Sequence, residues 1–258
     1  MTDQRSIFIT GGASGIGLAA ARRFHGEGWR VGIGDIDHAG MARVADELGV
    51  FTAPLDVRDR AQWAGALGGF VGAGARLDVL LNNAGIARFG MFEEVSPDES
   101  DLQVDINVKG VINGAYAALP HLKATAGAKL VNVASCAGLF GSPGLAVYSA
   151  TKFAVRGLSE ALDAEFTRHG VGVACVMPWF VETPILDSGS AGTNRTLRDA
   201  TAGQEVYTVE EAADVIWQAV HGRERDYIVG KAGKKVRFAS RFMPGQMRKR
   251  LKAAFAAG

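Results

Sequence analysis

Tyr148 and Lys152 stand four residues apart in the run Tyr148–Ser149–Ala150–Thr151–Lys152. On a helix that spacing puts both side chains on one face, one turn apart. A phenol is a weak acid, with an unperturbed pKa of about 10. A fixed ammonium nearby stabilises the phenolate and draws that pKa toward the working range. Tyr148 is then a candidate general acid/base near neutral pH. The same pair also recurs by chance, with the tyrosine in a core and the lysine reaching for water. Its weight therefore depends on what the rest of the chain brings to it.

Several other residues carry chemistry of their own. Ser135 follows the apolar run Lys129–Ala134. A hydroxyl at the C-terminal end of a parallel strand lies where such sheets bind ligands, and it can donate to a substrate carbonyl. Asn107 sits among Val104, Ile106, Val108 and Val111 in a helical pattern. An amide there is either solvated or buried with a partner. Thr10–Gly17 (TGGASGIG) lies between a strand-like run and a helical one. Its glycines at 11, 15 and 17 allow a tight turn and close approach of a pyrophosphate to a helix N-terminus. Asp35 ends the next strand-like run, where a carboxylate accepts from ribose hydroxyls and repels a 2′-phosphate. Ile36 beside it offers that phosphate no cation, so the pattern favours NAD over NADP.

The elements that must position these residues alternate. Ser6–Thr10, Arg30–Gly34, Val50–Leu55, Leu77–Leu81, Lys129–Ala134, Val171–Met177 and Asp226–Val229 read as strands. Between them lie helical patterns starting near Leu18, at Ala39–Leu48 and Arg58–Val71, from about Glu99 to Lys123, and at Val147–His169 and Val209–His221. Apolar strands without alternation fit a parallel sheet covered on both faces. The expected fold is α/β: one Rossmann-like, doubly wound domain spanning 1–258, with seven mostly parallel strands and helices on both faces.

Taken together these residues resemble the classical short-chain dehydrogenase/reductase family over about residues 5–230. The resemblance implies the strand order 3-2-1-4-5-6-7 and a cofactor turn at Gly11, Ser14, Gly15, Ile16 and Gly17. It implies an adenine contact at Asp56 and Val57. Asn82–Asn83–Ala84–Gly85 is similar to the family's NNAG motif, with Asn83, Ala84 and Gly85 toward the cofactor. Asn107, Ser135, Tyr148 and Lys152 fall on its catalytic tetrad, Lys152 also holding the nicotinamide ribose and Asn107 a water linked to Lys152. Pro178, Val181 and Thr183 occupy the segment that grips the nicotinamide. The family's usual glycine after that proline is Trp179 here. By this resemblance the protein interconverts a secondary alcohol and a ketone by hydride transfer with NAD, as a homotetramer or homodimer built through its long helices. A non-catalytic NAD-binding scaffold and an epimerase or dehydratase remain as other readings of the same fold.

The surroundings set expectations about substrate and compartment. Ala137, Phe140, Leu145, Trp179, Phe180 and Leu186 are expected to line the substrate pocket with Ser135 and Tyr148, which suits an apolar or aromatic alcohol or ketone. Residues 183–207 are polar and Gly-rich, a candidate lid. The chain has 258 residues, 48% of them hydrophobic, and a net charge of +1. That composition is ordinary for a globular chain, and no nucleic-acid partner is expected. Cys136 and Cys175 sit in apolar runs and fit a reducing, cytoplasmic setting. No signal peptide, membrane span or metal site is expected. The charge is uneven: residues 227–258 hold nine Lys/Arg and no Asp/Glu. Within this basic extension (231–258), Met247, Leu251, Ala254 and Phe255 form an apolar stripe. Packing on the acidic body or a second subunit is the favoured reading, with a membrane surface the lesser one.

Overall fold

The strands form where apolar, β-branched residues run without alternation, because both faces of the sheet are covered. The computed structural model describes residues 4–72 and 76–255. In chain order its elements are β1 (Ser6–Thr10), α1 (Gly15–Gly26), β2 (Arg30–Asp35), α2 (His38–Leu48), β3 (Phe51–Pro54), α3 (Arg60–Val71), β4 (Val79–Asn82), α4 (Pro97–Val104), α5 (Gly110–Lys123), β5 (Lys129–Val133), α6 (Ala146–Phe166), β6 (Gly172–Pro178), α7 (Leu197–Ala200), α8 (Val209–His221), β7 (Asp226–Val229), α9 (Lys231–Phe242) and α10 (Pro244–Phe255). The sheet order is β3-β2-β1-β4-β5-β6-β7, and every strand pair in it is parallel. This is the order the family resemblance implies.

Alternate residues of each strand feed opposite cores. Ile7 and Ile9 pack on one face with Phe24, Met41 and Ile216, from α1, α2 and α8. Phe8, Leu80 and Leu130 pack on the other with Trp63, Leu122 and Phe166, from α3, α5 and α6. The consequence is that all strands end their C-terminal edges along one crevice. No helix among the described residues is long and apolar enough to cross a membrane.

The structure departs from the sequence reading in four places. The helix expected from Glu99 to Lys123 is interrupted by a π-helical turn at Asp105–Lys109, which carries Asn107. Its start at Ser96–Pro97 is as read, with the Ser96 hydroxyl accepting from the Glu99 N–H. The helix expected from Arg58 begins at Arg60, because the Asp59 carboxylate caps the Ala61 and Gln62 N–H groups. The basic extension, which carries no helix before Pro244 in the sequence reading, begins with a whole helix, α9. Residues 183–207 are not structureless: they hold a 3-10 turn at Pro184–Asp187 and α7.

Candidate active site

The crevice holds one large cleft, of about 480 Å³. It runs from Asp35, Asp56 and Val57, past Gly11, Ser14, Gly15 and Ile16, to Ser135, Tyr148 and Lys152. The turn after β1 is tight by construction. Gly11 has a left-handed φ of 66°, and a Cβ there would come 2.9 Å from the Ala84 Cα. Asn83 Nδ2 donates to the carbonyls of Thr10 and Gly11 at 3.0 and 3.1 Å. The Thr10 hydroxyl accepts from the N–H groups of Asn83 and Ala84. The start of α1 therefore faces the cleft with no side chain capping it. Such a helix end suits an anion.

Not every residue of the expected cofactor set touches the cleft. Gly17 is buried behind the turn, where a Cβ would come 2.0 Å from the Gly11 carbonyl oxygen. It packs the turn instead of lining the site. Asp35 already accepts from the Ala13 and Asp37 N–H groups, one on each oxygen, which fixes its carboxylate at the cleft edge. Asp56 is gripped by Arg58 through Nε and Nη2, at 2.9 and 2.6 Å. The Arg58 hydrogen bonds hold the Asp56 carboxyl below its usual range, against a smaller opposing push from burial. The sequence reading missed Arg58, whose side chain turns back on a residue two positions earlier. Val57 is buried, and its carbonyl accepts from Trp63 Nε1 and Asn113 Nδ2. Asn83, Ala84, Gly85, Pro178, Val181 and Thr183 all line the cleft.

At the other end, Tyr148, Ser135 and Lys152 share one wall. Lys152 is 4% exposed, and its Nζ donates to the Val133 carbonyl at 3.0 Å. It lies 5.5 Å from the centre of the Tyr148 ring. Burial pulls the Lys152 ammonium down to about 8. Burial pushes the Tyr148 phenol up to about 12, against a smaller lowering by its hydrogen bond with the Ser135 hydroxyl. This corrects the sequence reading, in which Lys152 draws Tyr148 toward neutrality. The protein's own groups leave the phenol protonated, because desolvation of the phenolate outweighs them.

Asn107 is fully buried and does not line the cleft. Its Nδ2 donates to the Ile86 carbonyl and to the Thr151 hydroxyl, and its Oδ1 accepts from the Ile86 N–H. Gly85 leaves room beside it, since a Cβ there would come 3.1 Å from Asn107 Oδ1 and 3.5 Å from Lys152 Nζ. Thr151, between the tyrosine and the lysine, was not singled out from sequence.

The expected pocket residues Ala137, Phe140, Leu145, Trp179, Phe180 and Leu186 all line the cleft, joined by Arg88, Ser142, Ile185, Ser188 and Leu197. Trp179 stacks edge-on against Phe180, 5.1 Å between ring centres, and its buried Nε1 has no partner. Glu99 reaches across to residues 190 and 191: the Ser190 hydroxyl donates to Oε2 at 2.8 Å and the Ala191 N–H to Oε1 at 3.1 Å. Among the described residues no cluster of three His, Cys, Asp or Glu could hold a metal.

Known proteins are similar in sequence and fold. The family model described as short chain dehydrogenase matches residues 5–194. The chain is 39% identical over 182 residues to 2,5-dichloro-2,5-cyclohexadiene-1,4-diol dehydrogenase LinX of Sphingobium indicum, covering 69% of this chain and 73% of that protein. It is similar, at 28% identity, to a short-chain dehydrogenase/reductase of Burkholderia phymatum solved in complex with NAD; the TM-score is 0.83, over 95% of each chain. A Burkholderia cenocepacia short chain dehydrogenase in complex with NADP shares the fold, with a TM-score of 0.82 at 23% identity over 96% of this chain and 97% of that one. With the seven-stranded order and the Tyr148–Lys152 pair on one wall of the cleft, these matches make the chain a member of the short-chain dehydrogenase/reductase family, a family of oxidoreductases.

Proposed function

We propose that the protein is an NAD(H)-dependent oxidoreductase that interconverts an apolar or aromatic secondary alcohol and the matching ketone. The observation that carries this reading is the convergence of Ser135, Tyr148 and Lys152 on one end of a cleft whose other end is edged by the Asp35 carboxylate. A bound nicotinamide cofactor supplies or accepts the hydride and, when oxidised, carries a positive charge that favours a phenolate.

The residues present fit that cofactor. The uncapped start of α1 leaves N–H groups for a pyrophosphate, and Gly15 keeps a side chain off the turn that faces it. Asp35 would hold the adenosine ribose and disfavour a 2′-phosphate, with the exposed Ile36 as neighbour. Asp56 and Val57 would border the adenine, and Pro178, Val181 and Thr183 the nicotinamide.

Tyr148 is the general acid/base. Held near 12, its phenol is protonated at neutral pH and ready to give a proton to a carbonyl oxygen, the reductive direction. Ser135 orients that oxygen by hydrogen bonding. Lys152 keeps an amine beside the tyrosine, and residues 183–207 serve as the lid, held by Glu99. The apolar lining from Phe140 to Leu186 selects the substrate's body. The long helices α5 and α6 serve as subunit contacts. A panel of secondary alcohols and ketones, assayed by NADH and NADPH absorbance, tests the reading. Turnover of apolar members with NAD(H) is expected. Tight cofactor binding with no turnover across the panel would favour the scaffold reading instead.

A further inference from the structure

The basic C-terminal helices do not all pack inward. In α9 the buried residue is Gly233, where a Cβ would come 2.7 Å from both Cys136 Sγ and an Ile228 methyl. Opposite it, by helical spacing, lie Lys231, Lys235, Phe238 and Phe242, with Lys234 and Arg241 on the flank. All six are exposed. Phe238 is 58% exposed and Phe242 63%, with their rings 4.9 Å apart. Met243, also exposed, continues the apolar edge. Of the nine cations after Asp226, only Arg237 is ion-paired among the described residues, to Asp226 itself.

α10 behaves differently. Its Met247 and Leu251 are half-buried and face Leu139 and Phe140 across a cavity of about 460 Å³. Arg248 and Lys252 stand at the same cavity. The stripe's last members, Ala254 and Phe255, lie outside the described side chains. Packing on the body is thus the role of α10, while α9 presents aromatic rings between lysines to the outside.

Phe238, Phe242 and Met243 form one exposed apolar patch rimmed by cations, the kind of patch that marks an interaction surface. A second copy of the same face is a poor partner, because it would set lysine against lysine. An anionic phospholipid surface supplies both needs, acyl chains for the rings and headgroups for the cations. We propose that α9 and the turn at Met243 seat the protein on an anionic membrane surface, with Phe238 and Phe242 entering the headgroup–acyl boundary.

The test is co-sedimentation of the full chain with vesicles of phosphatidylcholine alone and of phosphatidylcholine with phosphatidylglycerol. The expected result is partition onto the anionic vesicles at least about tenfold above the neutral ones, weakened by salt. The double variant Phe238→Ser/Phe242→Ser is expected to lose about tenfold of that partition while its circular dichroism stays as wild type. Equal partition onto both vesicle types overturns the proposal, as does a double variant that binds like wild type. A double variant whose sedimentation velocity shows fewer subunits also overturns it, since the rings would then cover a second copy. Displacement from the vesicles by duplex DNA at equal charge, with no loss in the phenylalanine variant, overturns it too, leaving a general cationic surface.

Discussion

Asn107 takes both backbone polar groups of Ile86: the Ile86 N–H donates to Oδ1 at 2.9 Å, and Nδ2 donates back to the Ile86 carbonyl at 2.8 Å. The π-helical turn at Asp105–Lys109 aims the amide inward to make this pair. The chain after Asn83–Gly85, which walls the middle of the cleft, is thereby tied to α6 through Thr151. Asn107→Leu would strand two part-buried backbone groups. Each orphaned group costs about 1–3 kcal/mol, so the variant is expected to lose roughly 2–5 kcal/mol in urea unfolding. A loss confined to turnover, with unchanged stability, would show that the side chain's work is on a water near Lys152 and not on Ile86.

Tyr148→Phe removes the only hydroxyl in the site with a ring to carry it and leaves the packing. Loss of general acid/base catalysis costs about 10²-fold or more. The variant is expected to bind NADH as wild type does, by fluorescence titration, while turnover drops at least that far. Retention of more than about a tenth of the rate would remove Tyr148 from the proton-transfer role.

Lys152 and Tyr148 leave opposite marks on stability against pH. Burial sets Lys152 at about 8 against an ordinary 10.5. Between those values the unfolded chain binds more protons, so stability rises with pH there. Tyr148 sits at about 12 against an ordinary 10.0. Its contribution is whole below 10 and is lost as pH climbs toward 12. Lys152→Met removes the first effect. At neutral pH it is expected to gain roughly 1–3 kcal/mol from shedding a buried charge, less about 1 kcal/mol for the hydrogen bond to the Val133 carbonyl. Urea midpoints at neutral pH and near pH 9 check this; a variant whose stability still rises between them places the titration elsewhere.

What the sequence made legible follows from which signals are local. The parallel sheet could be read because strands such as β4 are apolar on both faces and helices alternate with them; its order came only with the family resemblance. Ser135, Tyr148 and Lys152 could be placed because each is fixed by a strand end or a helical spacing. The π-helical turn could not, since Asp105–Lys109 holds no Gly or Pro and one extra residue in a helix leaves no mark on composition. α9 escaped because its buried contact is made by Gly233, which adds nothing to a hydrophobic period. Tyr148's protonation escaped for another reason. It depends on how much of the ring the surrounding elements desolvate, and spacing to Lys152 says nothing of that.

Asp35 separates the two nicotinamide cofactors if its charge decides, and the structure gives a way to isolate charge from shape. Its oxygens hold the Ala13 and Asp37 N–H groups, so Asp35→Ala would disturb the cofactor turn itself. Asp35→Asn keeps one acceptor and removes the charge. The expected outcome is a fall in the NAD over NADP preference, measured as the ratio of kcat/KM values, by about tenfold or more, in line with about 1.4 kcal/mol of lost repulsion. A wild-type protein that uses NADP as well as NAD, with a ratio Asn does not change, would refute the reading of Asp35.

Trp179 divides packing from selectivity. Its ring lies edge-on to Phe180 and lines the cleft, and its Nε1 is buried without a partner. A buried unpaired N–H costs about 1–3 kcal/mol. Trp179→Phe keeps an aromatic face and deletes that donor, so thermal unfolding is expected to show stability unchanged or higher by about 1 kcal/mol. Trp179→Gly restores the residue usual in the family and opens the cleft by the volume of an indole. It is expected to lose about 3–5 kcal/mol as a large-to-small change and to shift kcat/KM toward bulkier ketones relative to small ones. If Trp179→Phe instead loses stability and activity together, the indole N–H has a partner that matters, and a bound substrate group or water is the first place to look for it.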